Sequence, residues 1–209
     1  MVEEKEDASV IAEETYDNDH HHLFYVRHGE RVDHAKHLKI EYPIKYDPPL
    51  TPLGVQQATE TGRFFKEYLK THKFDDIVIE CSPFIRTMMT GAAIAKEIGF
   101  TQITVNHHFC EWMSDNFFDW NHLPELMVRN PDIYPKENMI KEYLGGIGYV
   151  DDDKGYEESL TYYPESMDNC YDRNQRLIQH VCEGYEGSKD KRVLHIIVTH
   201  GYHVESMGI

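Results

Sequence analysis

The sequence predicts an α/β fold, a three-layer sandwich with a mostly parallel central sheet. Short apolar runs that are typical of buried strands alternate with longer helical patterns along most of the chain. Thr51-Pro52 and Ser82-Pro83 each combine an N-cap residue with a proline at the first helical position, which marks two helix starts. The 209 residues are enough for one sizeable hydrophobic core.

The predicted elements follow one another in strand–helix order. The predicted strands are the apolar runs at 23–27, 75–82, 102–109 and 192–200. The predicted helices cover about 52–71, 83–98 and 164–183. Gly99 ends the second of these helices, because glycine readily takes the left-handed conformation that closes a helix. A loop with three prolines, residues 32–50, separates the first strand from the first helix.

Residues 112–163 interrupt this alternation. They are rich in tryptophan, phenylalanine and tyrosine, with prolines and glycines between them. We interpret this stretch as an insertion over the edge of the sheet, close to the predicted ligand site. Its aromatic side chains could line a substrate pocket or form a small core of the insertion itself, and the sequence leaves both interpretations open.

The two ends of the chain have their own patterns. Residues 1–20 are acidic and poor in apolar side chains, so we expect a disordered tail, followed by a single domain at 21–209. Three consecutive histidines at 20–22 are expected to lead into the first strand rather than to bind metal. The chain stops nine residues after His200, so we expect a truncated last helix, exposed apolar surface and reduced stability.

Composition excludes several classes of partner. The formal net charge of −16 argues against broad binding to nucleic acid or to anionic membranes, which needs a basic face. No run of about 18 apolar residues or signal-peptide pattern is present, so we expect no membrane span and a cytoplasmic location. The four cysteines are widely spaced, which predicts reduced thiols rather than a disulfide framework.

Three predicted strands lead into residues that suit an anion. The first ends at Arg27-His28-Gly29, and the last ends at His200-Gly201. The second leads through Ser82-Pro83 to Arg86, and Glu111 follows the third. Because the carboxyl ends of parallel strands meet at one edge of a sheet, we expect Arg27, His28, Arg86, Glu111 and His200 to converge there.

This set of side chains predicts phosphoryl transfer. Three arginines, at 27, 31 and 86, around two histidines would repel one another unless an anion completes the site. A neutral imidazole can attack phosphorus if its other ring nitrogen is held, for example by a backbone carbonyl near Gly29. Glu111 is the candidate acid toward the leaving oxygen and then the base for water, with Asp115 or Asp119 as alternatives. This chemistry needs no metal and no cofactor.

Two other motifs compete with this interpretation. Cys81 followed by Arg86 is similar to the cysteine phosphatase loop, but only four residues separate them and the loop needs five. We therefore expect Cys81 to be a buried residue at the end of a strand. The sequence has 14 histidines, yet no HExxH motif occurs, and His200 with His203 is a weak zinc pair.

The joint pattern resembles the histidine phosphatase superfamily, which includes cofactor-dependent phosphoglycerate mutases and many phosphatases. The motifs RHGER, CSPFIRTMMTG, PESMDNCYDR and VTHG carry the resemblance over most of residues 23–204. RHGERVD and FCEW look closest to the phosphatase domains of the suppressor-of-T-cell-receptor-signalling proteins. The resemblance implies a phosphohistidine at His28 and a proton donor at Glu111. It also implies that Arg27, Arg31 and Arg86 hold the phosphate together with His200.

The sequence therefore supports one leading hypothesis and two alternatives. The leading one is a metal-independent phosphatase that hydrolyses a phosphomonoester through a phosphohistidine. A phosphoglycerate mutase type of phosphoryl transfer and a non-catalytic phosphate-binding or scaffolding module are the alternatives. The expected partners are a phosphorylated small molecule or a phosphoprotein, and a homodimer is one expected assembly.

Overall fold

The computed structural model describes residues 21–128, 135–152, 156–186 and 191–206. Within them, five strands form one parallel sheet in the order β1-β5-β2-β3-β4. The strands are β1 (His22–Arg27), β2 (Asp76–Cys81), β3 (Gln102–Asn106), β4 (Gly148–Asp152) and β5 (Val193–Thr199). The predicted α/β class with a mostly parallel sheet is confirmed. The predicted tail at 1–20 lies outside the described residues.

Helices flank both faces of the sheet. They are α1 (Pro52–Thr71), α2 (Ile85–Ile98), α3 (Leu123–Val128), α4 (Lys136–Glu142), α5 (Tyr156–Ser159), α6 (Met167–Glu186) and α7 (Gly201–Glu205). None of the helices in the described ranges is both long enough and apolar enough to cross a bilayer.

The predicted start of α1 and the predicted end of α2 are confirmed. The predicted start of α2 at Ser82-Pro83 is wrong: α2 begins at Ile85 after Phe84, and the Ser82 hydroxyl does not cap it because it bonds to His200 instead. The Thr51 side chain accepts a hydrogen bond of 3.0 Å from the backbone N–H of Gly54, and Pro52 occupies the first position of α1. Gly99 closes α2 with a φ of 86°, and its N–H bonds back to carbonyls in the last turn. These two caps fix where α1 begins and where α2 ends.

The main core lies between the sheet and the α1–α2 pair. Every residue of β5 is buried, as expected for a central strand that is covered on both faces. Because side chains alternate along a strand, Leu194, Ile196 and Val198 join this core while His195 points to the other face. There, the His195 ring accepts or donates a hydrogen bond with Tyr185 of α6. The sheet therefore forms the middle of three layers.

Two features of the structure differ from the sequence-based elements. Strand β4 lies inside 112–163, where the sequence analysis predicted no strand. Strand β3 ends at Asn106, and a 3-10 turn at His107–Phe109 replaces its predicted last residues because the Asn106 side chain caps the turn. The aromatic residues of the insertion have different environments. Phe118 and Tyr162 are buried in a second small core, whereas Phe117 is exposed to solvent.

Phe64 and Phe65 give a matched test of this core. Both belong to α1, but Phe65 is 1% exposed in the main core and Phe64 is 52% exposed. We expect Phe65→Ala to lower the free energy of unfolding by about 3–5 kcal/mol, because it removes a large buried ring and leaves a cavity. Phe64→Ala should cost about 1 kcal/mol or less. Urea denaturation measures both, and equal losses would contradict the assigned packing.

Candidate active site

The order of the strands brings the predicted site residues to one edge of the sheet. Strand β5 lies between β1 and β2, and its end residue Thr199 pairs in register with Arg27. On the other side, Cys81 of β2 pairs with Val198. The segments that follow β1, β2 and β5 therefore leave the sheet side by side, and they carry His28, Arg86 and His200.

Arg86, Glu111 and His200 form a close triangle. An Arg86 Nη2 hydrogen donates to Glu111 Oε2 at 3.3 Å, and the same nitrogen lies 3.3 Å from His200 Nδ1. His200 Nδ1 lies 3.2 Å from Glu111 Oε2. The other ring nitrogen of His200 forms a 2.7 Å hydrogen bond with the Ser82 hydroxyl, which orients the ring. Glu111 is thus in the cluster, whereas the alternative acids Asp115 and Asp119 are exposed to solvent.

His28 is held as a neutral imidazole with one open nitrogen. Its Nδ1–H donates to the carbonyl oxygen of Gly29 at 2.8 Å, which confirms the predicted backbone partner and leaves the lone pair on Nε2. Burial, then the positive charge of Arg86 and the nearby His200, lowers the pKa of His28 to about 2. The His28 and His200 ring centroids are 5.4 Å apart. Nε2 of His28 is therefore available as a nucleophile throughout the neutral pH range.

Arg86 is a buried cation with open hydrogen-bond donors. It is 1% exposed, yet its Nε and Nη1 groups have no hydrogen-bond partner among the described residues. The Asp47 carboxylate lies 3.8 Å from Nη1, which is too far for a hydrogen bond. Buried donors without acceptors are rare in folded proteins, so this arrangement points to an anionic ligand.

The carboxyl group of Glu111 is ionised in this site. Burial alone would raise its pKa, but the neighbouring His200 and Arg86 outweigh that effect and hold the pKa of Glu111 well below its ordinary value. Burial lowers the pKa of His200 to about 4, against the opposing pull of Glu111. At neutral pH the triangle therefore contains one cation, one anion and one neutral ring.

Arg27 and Arg31 lie at the rim rather than in the buried triangle. With His28, His34 and Gln57 they line an open cavity of about 330 Å³. A second cavity of about 570 Å³ under α6 is larger, but it includes none of the predicted site residues.

The two rim arginines are held differently. Arg31 Nε donates to Asp33 at 2.7 Å, and the Arg31 Nη2 group makes a second contact with the same carboxylate. Arg27 is exposed, and its guanidinium packs on Gly201, where an added Cβ would lie 3.1 Å from it. Both cations therefore face the entrance of the cavity beside His28.

Close backbone packing positions the loop that carries His28. A Cβ atom on Gly29 would lie 2.3 Å from the Gly54 carbonyl oxygen, so only glycine lets this loop touch the first turn of α1. The Thr51 hydroxyl donates to Glu30 at 2.7 Å, and the Glu30 N–H donates to Gln57 at 2.8 Å. The start of α1 thus fixes the backbone on either side of Gly29.

The rival motifs do not take part in the cluster. Cys81 is completely buried at the end of β2, which confirms the prediction for this residue. His203 donates from Nε2 to the carbonyl of Cys110 at 2.8 Å. Within the described ranges, one group of possible metal ligands is present: donor atoms of His28, Glu111 and His200 lie within 4.8 Å of one another. The Arg86 guanidinium beside two of them opposes a cation and favours an anion.

Sequence reasoning missed three supporting residues. Ser82 was assigned only as a helix cap, although its hydroxyl orients His200. Glu165 and Arg173 form a buried ion pair next to the Glu111 segment. The available signal was a glutamate and an arginine eight positions apart on a predicted helix, and such pairs are common on solvated helix faces.

Fold and site together define an α/β protein with two histidines and a buried arginine at the centre of its site and two further arginines at the rim. The chain belongs to the histidine phosphatase superfamily (branch 1), whose family model matches residues 23–207. A search of the curated proteins gave no match.

Solved structures show the same fold. The ecdysone phosphate phosphatase EPPase from Bombix mori, in complex with tungstate, has a TM-score of 0.55 and 21% identity, over 89% of this chain and 75% of that one. The phosphoglycerate mutase from Bacillus anthracis str. Sterne has a TM-score of 0.52 and 16% identity, over 92% of this chain and 81% of that one. At this level of identity the likeness concerns the fold.

The open donors of Arg86 give a binding test. We expect tungstate to raise the melting temperature of the wild type, because it is a tetrahedral oxyanion that accepts these hydrogen bonds. Arg86→Met and Arg86→Lys should each weaken tungstate binding by about 100-fold or more, since well-placed donors of this kind contribute about 2.7–4 kcal/mol. Calorimetric titration measures the dissociation constants.

Arg63→Met is the matched control, because Arg63 is an exposed arginine of α1 with a side chain that is 57% accessible. It should bind tungstate like the wild type. Unchanged affinity in both Arg86 variants would show that the oxyanion binds elsewhere.

Proposed function

We propose that the protein is a phosphatase that hydrolyses a phosphomonoester through a phosphohistidine at His28. The observation that carries the proposal is the geometry at His28: a neutral ring with its Nε2 lone pair free, next to a buried arginine with open donors. Membership of the superfamily supports phosphoryl transfer, and the fold is shared with a phosphatase that was solved with a phosphate-like oxyanion.

In the first step, the His28 Nε2 lone pair attacks phosphorus and the ester P–O bond breaks. The leaving oxygen takes a proton from Glu111, so the alcohol leaves as a neutral product. Arg86 accommodates the negative charge on the phosphoryl oxygens with the donors that are open in the free protein. Arg27 and Arg31 at the rim add positive charge around the same oxygens.

In the second step, water attacks phosphorus and the P–N bond breaks. Glu111, now a carboxylate, accepts a proton from this water, and inorganic phosphate leaves. The Gly29 carbonyl keeps the His28 tautomer unchanged through both steps, because it continues to accept the Nδ1–H hydrogen bond. The arginines supply the positive charge that a metal ion would supply in a metal-dependent phosphatase, so the proposed reaction uses no metal.

Glu111 must carry a proton before the first step, although it is ionised in the free protein. Entry of a phosphate group places negative charge beside Glu111, which raises its pKa. A phosphate monoester loses its second proton with a pKa of about 6, so near neutral pH the substrate can itself bring the proton. Whether the proton comes from solvent or from the substrate, the activity is expected to be higher below neutral pH.

Substrate and setting are the less specific part of the proposal. We propose a phosphorylated small molecule or a phosphoprotein as substrate, and the cytoplasm as the place of action. The four cysteines are free, which is consistent with a reducing compartment. The likeness of RHGERVD and FCEW to the suppressor-of-T-cell-receptor-signalling phosphatases favours hydrolysis over the mutase reaction.

The covalent intermediate gives the decisive test. Rapid acid-free quenching with ³²P-labelled phosphomonoester should trap label that is stable to base and released by acid, as expected for a phosphorus–nitrogen bond. His28→Ala should abolish it, whereas His37→Ala, an exposed histidine in a 3-10 turn, should retain it. Label that survives in His28→Ala would refute the assignment. Saturable binding without product release in the wild type would instead favour the scaffolding alternative.

The depressed pKa of Glu111 predicts the direction of the pH dependence. Above this pKa the protonated fraction falls as pH rises, so kcat/KM on an alkyl phosphate should decrease from pH 5 to pH 8. Glu111→Gln should be slower and should show a flatter profile. Comparison of the two proteins on one substrate removes the titration of the substrate itself. Parallel profiles would exclude Glu111 as the acid.

A further inference from the structure

A buried ion pair lies directly behind the segment that carries Glu111. Arg173 and Glu165 are 2% and 6% exposed. Their contact is bidentate: Nε donates to Oε1 at 2.8 Å and Nη2 donates to Oε2 at 2.8 Å. Arg173 is in the second turn of α6 and Glu165 lies just before this helix.

Both members of the pair bind the backbone of residues 108–113. Arg173 donates to the carbonyl oxygens of His108 at 2.7 Å, of Cys110 at 3.3 Å and of Glu111 at 3.3 Å. Glu165 Oε2 accepts from the N–H of Met113 at 3.3 Å. One guanidinium and one carboxylate thus hold successive peptide groups on both sides of the Glu111 side chain.

The Glu165 backbone adds two further bonds to the same segment. Its carbonyl accepts from Trp112 Nε1 at 2.9 Å, and its N–H donates to the Met113 carbonyl at 2.9 Å. Helix α7 joins the network because His203 donates to Cys110 and the Asn174 amide of α6 donates to the His203 carbonyl at 3.2 Å. Since α7 begins directly after His200, the network contacts the segments that carry Glu111 and His200, the two residues next to Arg86.

The Glu111 segment depends on these bonds for its position. Residues 110–113 belong to neither helix nor strand, so no regular hydrogen-bond ladder fixes them. The contacts of Arg86 and His200 with Glu111 described above are made to its carboxylate, at the end of the side chain. Proton transfer needs donor and acceptor within hydrogen-bond reach, so a small shift of this backbone would remove the acid from the leaving oxygen.

Stability alone is a weak reason for such a pair. The free energy needed to remove two charges from water offsets much of the attraction between them. Apolar residues of similar volume therefore often give equal or greater stability. The pair here makes its additional hydrogen bonds to the segment that bears Glu111. We propose that Arg173 and Glu165 are positioning residues that fix the Glu111 backbone for proton transfer, an inference that rests on the proposed acid role of Glu111.

The first experiment separates positioning from folding. In Arg173→Met/Glu165→Leu both charges of the pair are removed together, so the double variant should melt above Arg173→Met alone, which leaves Glu165 buried and unpaired. Its kcat should fall about 100-fold or more on an alkyl phosphate, whose leaving group needs the acid. The loss on 4-nitrophenyl phosphate should stay below about tenfold, because its leaving group departs with little protonation.

Arg176→Met is the matched control, since Arg176 is an exposed arginine three positions further along α6. It should retain wild-type activity on both substrates. Equal losses of the double variant on the two substrates, or no loss, would overturn the positioning role. If the double variant does not fold, Glu165→Gln, which keeps the side-chain shape, is subjected to the same comparison.

A second experiment tests whether the pair acts through Glu111. In a Glu111→Gln background, the double substitution should lower kcat on the alkyl phosphate by less than about twofold, because the acid has already been removed. Multiplicative losses would overturn the inference. Failure of the proposed function has a different signature, namely a wild type that forms no phosphohistidine or turns over neither substrate.

Discussion

The site is organised around one energetically unfavourable arrangement: a buried, charged guanidinium, two of whose three nitrogens make no hydrogen bond to the described residues. Arg86 lies in the first turn of α2, where the aligned peptide dipoles also favour negative charge. Its guanidinium carbon lies 4.3 Å from the centre of the Phe84 ring, and Glu111 and Asp47 supply carboxylates nearby. These contacts offset only part of the desolvation of the cation. In the proposed function, an oxyanion accepts from the open donors and completes the arrangement, so that a local pocket attracts an anion despite the chain's net charge of −16.

The parallel sheet makes this arrangement possible. Because β5 is inserted between β1 and β2, three segments that are far apart in sequence end at one edge, and each delivers one side chain. Close packing then fixes the positions of these segments relative to the helices. Gly29 touches the first turn of α1, its N–H donates to Thr90 at 3.2 Å, and the Thr90 hydroxyl donates to the Arg86 carbonyl at 2.9 Å. The His28 loop and the Arg86 helix are thereby joined through one threonine.

The sequence predicted the ends of β1 and β5 well because each combines an apolar run with a motif that no ordinary turn contains. RHG and THG follow strands, and this local signal was sufficient to place His28 and His200 at one edge. Strand β4 was missed because its GYVDD sequence has a glycine and two aspartates, and pairing at the sheet edge overrides these poor strand preferences. The Arg173–Glu165 pair was missed because nothing in the sequence distinguishes a buried ion pair from a solvated one. The Arg31–Asp33 contact depends in the same way on how a loop folds back.

The protonation states of the cluster follow from its charges. With Arg86 positive, Glu111 ionised and both histidines neutral, the buried part of the free site has a net charge near zero. In the proposed reaction, an arriving phosphate dianion makes this part negative, which raises the pKa of Glu111 and favours its protonation. In this proposal, the negative charge that binds next to Arg86 also prepares Glu111 to protonate the leaving oxygen. Coupling of this kind requires Glu111 to lie within a few ångströms of both the anion and Arg86, which is the position that its backbone contacts with α6 define.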